Sequence, residues 1–341
     1  MEGNETQEIS QKEAEDASET PITMPAIARP SEKTVASQED YGTCVTCGAA
    51  QVALGKESQG YVYAFGSIEP RFPSGGIEKE YQQVRKALMA QLEQELKNAP
   101  RGSQGQLQEK HTKLTQGTDH EAFVVVLSER NNRYLCRQLC WVMSIEKLET
   151  YILHPRDPGD FYLLVEALRT HPKDTDIDLV IGNRGPIAPP ELCNGLMIPI
   201  VVFDQIYSFP MDSIIQSIPQ PTPKIPDKQF RELCEETFEK IMHIADNAGA
   251  TDEHRALNYL AVRCPEIYQQ TAKMFHAENS LAVTCRPSRL SGARKVVDAI
   301  FAYTNRKTDF TERYFIRVDV TDEFPFLASK LTPYYVYDHY A

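Results

Sequence analysis

Two cysteines three positions apart, Cys44 and Cys47 in GTCVTCGA, are the first side chains in this sequence whose spacing suggests chemistry. A C-x-x-C supplies two thiolates, whereas a structural zinc site takes four tetrahedral ligands. No second C-x-x-C follows. The pair therefore reads either as half of a structural zinc site or as an exposed, oxidisable dithiol. Cys136 and Cys140 stand four residues apart. On a helix both would face one ion, and a buried apolar thiol is the plainer account of Cys140. Cys193 lies in PPELCNG, where prolines bound the loop and Asn194 and Gly195 follow. Such a loop can expose a thiol, but nucleophilic catalysis also needs a histidine base close by, here His154 or His254.

The densest polar cluster is Asp246, Asn247, Asp252, Glu253, His254, Arg255 and Asn258. If Thr251 caps a helix, Asp252 and Glu253 fall in its first turn, where negative charge complements the dipole. His254 and Asn258 then share a face, and Arg255 points about 100° away. A capped helix with a solvated face accounts for the pattern. The functional account is a hydrogen-bonding surface for a peptide backbone or carboxylate. Two arginine loops, PRDP with Arg156 and Asp157 and GNRGP with Arg184, carry forks suited to carboxylates. Arg286 and Arg289 in RPSRLSG invite the same reading. Asp204, at the end of an apolar strand, needs a partner, and an arginine is expected near it.

The elements that must position these groups follow from periodicity. YVYAFGSIEP alternates as a strand does, and Val84, Leu88, Leu92 and Leu96 repeat every four residues within a helix over 77–97. Residues 98–117 are polar and Gly/Gln-rich and read as a loop insertion. The run 120–127 favours a strand but allows a helix, and 131–140 reads as helical. WVMSIEKLETYILHP reads as one long strand with an irregularity. Pro158 opens a helix, DIDLVIG is a short strand, and LMIPIVVFDQIYSF reads as a central strand, apolar on both faces. After IPQPTPKIP, a helix capped by Asp227 and two more divided at Pro265 are expected, followed by β-structure with a hairpin across RKTDF. Without strict βα alternation, the fold class is α+β: a mixed, largely antiparallel sheet with packed helices.

Residues 1–40 hold ten acidic and three basic side chains, more than half of the net charge of −12. The segment 1–58 is poor in large apolar groups and reads as a disordered acidic tail bearing the C-x-x-C, ahead of a single domain over 59–341. The mild acidity of the remainder argues against sequence-independent nucleic-acid binding. No apolar run of 18 residues exists, so no membrane span is expected. The N-terminus has no basic start followed by an apolar core, so no secretory signal is expected either. Eight cysteines in such a chain read as reduced thiols in a cytoplasm.

Four phrases, NRYLCRQLCWVMSIEKLETYILHPRDP, DIDLVIGNRGPIAPPELCNGLMIPIVVFDQIYSF, ADNAGATDEHRALNYLAVR and RPSRLSGARKVVDAIFAYTNR, resemble in order the C-terminal domain of unknown function of PatA- and PatG-type cyanobactin maturation proteases. The resemblance spans residues 61–335. It implies a role in making ribosomally synthesised, cut and cyclised peptides. The implied partners are a precursor or cyclic peptide product and a subtilisin-like protease or another pathway enzyme. The chain has no H-G-T and no G-T-S around a serine, so the Ser-His-Asp chemistry of the family's protease is not expected here. The first expectation is therefore a non-catalytic accessory protein. The alternatives are a peptide-tailoring enzyme using Cys193 and His254, and a domain stapled by structural zinc. The candidate binding residues are Arg156, Asp157, Arg184, Cys193, Asn194, Asp204, Asn247, Asp252, His254, Arg255, Asn258 and Arg289.

Overall fold

The computed structural model describes residues 60–335, apart from 101–103, 174, 222–224, 245 and 276–278. The described residues all fall within one compact unit. The acidic tail and Cys44–Cys47 lie outside them.

The chain starts with β1 (Tyr61–Arg71), whose neighbouring residues are buried on both faces, and enters α1 (Gly75–Asn98). The Ser74 side chain caps α1 by accepting from the Ile77 N–H. α2 (Gln104–Thr115) follows, so the stretch 98–117, expected as a loop, is mostly helical. Its Gly/Gln content hid this, because a largely exposed helix needs only one buried anchor, Leu114. α3 (Asp119–Ser128) settles the ambiguity at 120–127 as a helix. Thr118 and Glu121 form a capping box, and that local signal outweighs the β-propensity of FVVVL. A 3-10 turn leads into α4 (Arg133–Gln138).

The expected long strand over 141–155 is instead a hairpin, β2 (Cys140–Ile145) and β3 (Leu148–Pro155). Its two central residues, Glu146 and Lys147, both take positive φ, 50° and 67°. That is the backbone of a type I′ turn without the usual Asn-Gly signature. After a 3-10 turn come α5 (Phe161–Ala167), β4 (Asp176–Ile187), β5 (Pro199–Pro210) and α6 (Met211–Ser217). Strands β1, β2, β3, β5 and β4 close into a five-stranded barrel, with β3 and β5 its one parallel pair.

The second half begins with α7 (Asp227–Met242). Pro226 occupies its N-cap position, so Asp227 is the first helical residue and not the cap. α8 (Asp252–Arg263) is capped by Thr251 as expected, and α9 (Pro265–Phe275) follows the break at Pro265. β6 (Asn279–Pro287), β7 (Val296–Asn305) and β8 (Thr311–Asp319) form an antiparallel meander. Two short strands, β9 (Phe326–Leu327) and β10 (Thr332–Pro333), both pair with β8. The class is α+β with two mostly antiparallel sheets, one of them closed.

The burial pattern follows from closure. Every barrel strand contributes to one cluster: Val62 and Ala64, Trp141 and Met143, Tyr151 and Leu153, Val180, Val201 and Phe203. Only an interior can be faced by all five strands, so these residues line the barrel and meet α1–α5. The alternate residues divide into two outer groups. Tyr63, Phe65, Leu179 and Ile181 pack with Phe238, Leu257, Leu260 and the second sheet. Cys140, Val142, Ile152, Ile200 and Val202 form a smaller patch under the proline-rich loop.

Candidate functional site

The polar cluster of residues 246–258 forms a buried seam between α8 and the barrel. Asn258 is fully buried. Its Nδ2 donates to the carbonyl of Tyr63 at 2.8 Å, and its Oδ1 accepts from Asn247 Nδ2 at 2.7 Å. The Asn247 Oδ1 in turn accepts from the Gly249 N–H. The chain around Gly249 lies directly on β1: the Tyr63 N–H donates to the Gly249 carbonyl at 2.9 Å, and Tyr151 Oη donates to the Ala248 carbonyl at 2.8 Å. Gly249 takes φ +67°, and a Cβ there would run into the Tyr63 carbonyl and Ala64. Only glycine allows this approach. The phrase ADNAGATDEHRALNYL is thus a docking device for the barrel's first strand.

Arg255 sits at the other end of the seam. It is 2 % exposed and donates to the carbonyls of Val320, Asp322 and Glu323, holding the segment after β8. Burial pulls its pKa below the ordinary guanidinium value, an effect opposed by Asp252, Tyr61, Glu323 and Asp322. Its carbon stands 5.1 Å from the Tyr61 ring centroid. Asp252 pairs with Arg255 at 3.7 Å and Lys295 at 3.2 Å, and the His254 N–H serves the Thr251 cap.

The arginine sought for Asp204 is Arg156, whose Nε lies 2.7 Å from Asp204 Oδ1. Glu323, from the segment that Arg255 holds, completes the group at 3.8 Å from Arg156. Asp204 Oδ2 and Glu323 Oε1 are both buried acceptors. A proton on Glu323 turns this conflict into a hydrogen bond between the carboxyls. Burial, then the Asp204 contact, push the Glu323 pKa up to about 8. Burial and the charges of Asp157 and Asp204 also raise Asp160. The arrangement thus gathers two largely buried carboxyl groups, Asp204 and Glu323, at one half-exposed arginine. Glu323 gave no sequence signal, since TDEFPF reads as an ordinary acidic turn.

The other nominated residues lie elsewhere. Asp157 caps the 3-10 turn before α5, accepting from the Gly159 N–H at 2.7 Å. Arg184 lies within β4, half-buried, and its charge partly offsets the burial that raises the Tyr151 pKa. Arg289 is exposed in the turn between β6 and β7, while Arg286 reaches Tyr334 Oη at 2.8 Å.

The cysteine expectations need the largest correction. Cys193 is buried and disulfide-bonded to Cys140, with Cα atoms 5.7 Å apart. The reading of eight reduced thiols fails for this pair, and the tailoring alternative loses its thiolate. A proline-bounded loop can expose a thiol, but this one does not. Instead Asn194, with φ 49°, and Gly195 turn to solvent while the sulfur enters the outer patch of the barrel. The Cys136–Cys140 metal pair fails for the same reason and because α4 ends before Cys140. Burial pushes the Cys136 thiol up to about 11. No group of three or more His, Cys, Asp or Glu is placed to hold a metal among the described residues. No described helix is long and apolar enough to cross a membrane.

Against known proteins, residues 224–334, from α7 through β10, match the family described as PatG C-terminal. The chain carries a domain of that type. A solved structure titled "PatG Domain of Unknown Function" aligns with TM-score 0.58 over 81 % of this chain and 99 % of that one, at 14 % identity. The shared fold therefore takes in the barrel as well as the segment matched by sequence. No curated protein matches the chain.

Proposed function

We propose that this chain is a non-catalytic recognition module in cyanobactin-like ribosomal peptide maturation. It holds the precursor peptide, its cyclic product, or a subtilisin-like maturation enzyme. The observation that carries the reading is the extent of the likeness: the chain spans 99 % of the PatG domain it aligns with. The use of its polar groups supports the non-catalytic part. Cys193 is bonded, and Asn247, Asn258 and Arg255 are committed to the seam.

Calorimetric titration of the full chain with the precursor peptide, the cyclic product and the maturation protease tests the proposal. Saturable binding to at least one of them is expected, with the mass and chromatographic behaviour of the peptide unchanged after incubation. Absence of binding to all three would remove the proposal. A modified peptide would replace it with an enzymatic one.

A further inference from the structure

The two sheets treat their edges differently. The barrel has none, because β1 pairs with both β2 and β4. On one side of the second sheet, β8 is covered by the two-residue strands β9 and β10. On the other side stands β6, nine residues long, paired with β7 in unbroken register from Asn279↔Asn305 to Pro287↔Val297. No other described strand pairs with it.

The pairing shows which backbone groups face outward. The Ser288 N–H donates to the Val296 carbonyl, one step beyond the Pro287↔Val297 pair, and Pro287 has no N–H to give. In an antiparallel ladder hydrogen-bonded and non-bonded pairs alternate. The bonds to β7 therefore fall on Ser280, Ala282, Thr284 and Arg286. The N–H and C=O groups of Leu281, Val283 and Cys285 point away from the sheet. Natural edges are blunted by lysine, bulges or internal proline. β6 has no lysine and no register shift, and its one proline is its last residue.

Beside the start of β6, a cavity of about 450 Å³ opens between the sheet and helices α7 and α9. Leu233, Met274, Leu281 and Tyr303 supply apolar wall, with Lys240 and Arg306 also lining it. Lys240 is paired with Glu236 at 2.6 Å, whereas Arg306 is exposed at the end of β7. The lining is thus net positive on a chain of net charge −12.

We propose that β6 and this cavity form a docking groove for an extended segment of another polypeptide. The segment adds as a further strand on β6, with an apolar side chain in the cavity and a carboxylate at Arg306. Strand addition uses main-chain bonds for affinity and pockets for specificity. The inference rests on the peptide-recognition reading above and places it at this edge.

The probe is a fluorescein-labelled eight-residue peptide of alternating valine and threonine ending in two aspartates, titrated by anisotropy into the full chain. Hydrogen exchange follows the amides of Leu281, Val283 and Cys285. Saturable binding is expected, with fast exchange of these amides before the probe and protection after it. Arg306→Glu, a change at an exposed position, should weaken binding about tenfold, as should lysines in place of the aspartates. N-methylation of alternate probe residues should abolish binding. Binding that ignores Arg306→Glu and N-methylation would overturn the proposal, as would no binding. Protection of the three amides before any probe is added would also overturn it. With a concentration-dependent dimer, such protection assigns the edge to a second copy, and with a monomer, to another part of the same chain. If the full chain binds the precursor peptide with Arg306→Glu and edge protection both without effect, the recognition reading stands and this groove falls.

Discussion

The seam along α8 and the edge along β6 belong to the same half of the chain, yet they use polar groups in opposite ways. At the seam three polar side chains are turned inward: Asn258 and Asn247 hold each other and β1, and Arg255 holds three carbonyls after β8. At the edge, side chains contribute little, and the backbone itself carries the unspent hydrogen-bonding capacity. Clustering of polar residue types in a sequence thus marked where the fold is fastened. The surface free to bind lay in a plain stretch, NSLAVTCRP, whose residue types announce nothing.

The largest effect that would break this contrast is at Arg255. Arg255→Ala removes a buried charge and strands the carbonyls of Val320 and Asp322, so a loss of about 3–5 kcal/mol is expected in urea denaturation. A loss under about 1 kcal/mol would mean that the seam does not fasten the segment after β8. The Cys140–Cys193 bond comes next. It spans 53 residues, for which chain-entropy reasoning gives about 4 kcal/mol. Cys140→Ser with Cys193→Ser should cost that much while leaving the Tyr63 amide protected, because the bond ties a different outer face of the barrel. Thiol counting on denatured, unreduced protein should find two fewer reactive sulfurs than after reduction. The full count without reductant would restore the expectation of reduced thiols. Disulfides are rare in mesophile cytosol, so that count also tests the cytoplasmic reading.

How much of this was legible beforehand follows from which signals are local. Strand β1, helices α1, α8 and α9 and the β7–β8 hairpin are written in periodicity, a capping threonine and a helix-breaking proline, and the sequence reading found them. The I′ turn at Glu146–Lys147 was missed because neither residue is one that prefers positive φ. Helix α2 was missed because it buries so little of itself. Closure of β1 onto β4 and the Cys140–Cys193 bond are pairings across more than fifty residues, and no local pattern encodes them. The Arg156–Asp204 pair was legible because an acidic group on a largely buried apolar strand must find a cation, although Asp204 stands in the middle of β5 and not at its end. Glu323 was not legible, since the same residue type in a turn usually faces water.

Glu323 gives a smaller effect and sharpens the contrast at the rim of the seam. Its pKa in the folded chain, about 8, stands above its ordinary value of 4.5. The folded state therefore holds the proton more tightly, and the contribution is complete below about pH 4.5 and lost as pH rises through 8. Glu323→Gln, which cannot ionise, should flatten the fall in stability between pH 5 and pH 8, read as urea midpoints at each pH. Equal pH dependence in both proteins would show that the carboxyl pair does not share a proton.

The smallest expected effect is at the edge. Ala282 lies mid-strand with its side chain exposed, and its N–H and C=O already belong to the ladder with β7. Ala282→Lys adds no buried atom and breaks no bond, so stability should move by less than about 0.5 kcal/mol. The same lysine is the residue with which natural proteins guard an open edge, because its bulk and charge hinder an incoming strand. One variant thus separates the two uses of the molecule: the urea midpoint holds while anisotropy of the strand probe falls several-fold. If the midpoint dropped as far as it does for Arg255→Ala, β6 would be part of the fastening, and the division between seam and edge would not hold.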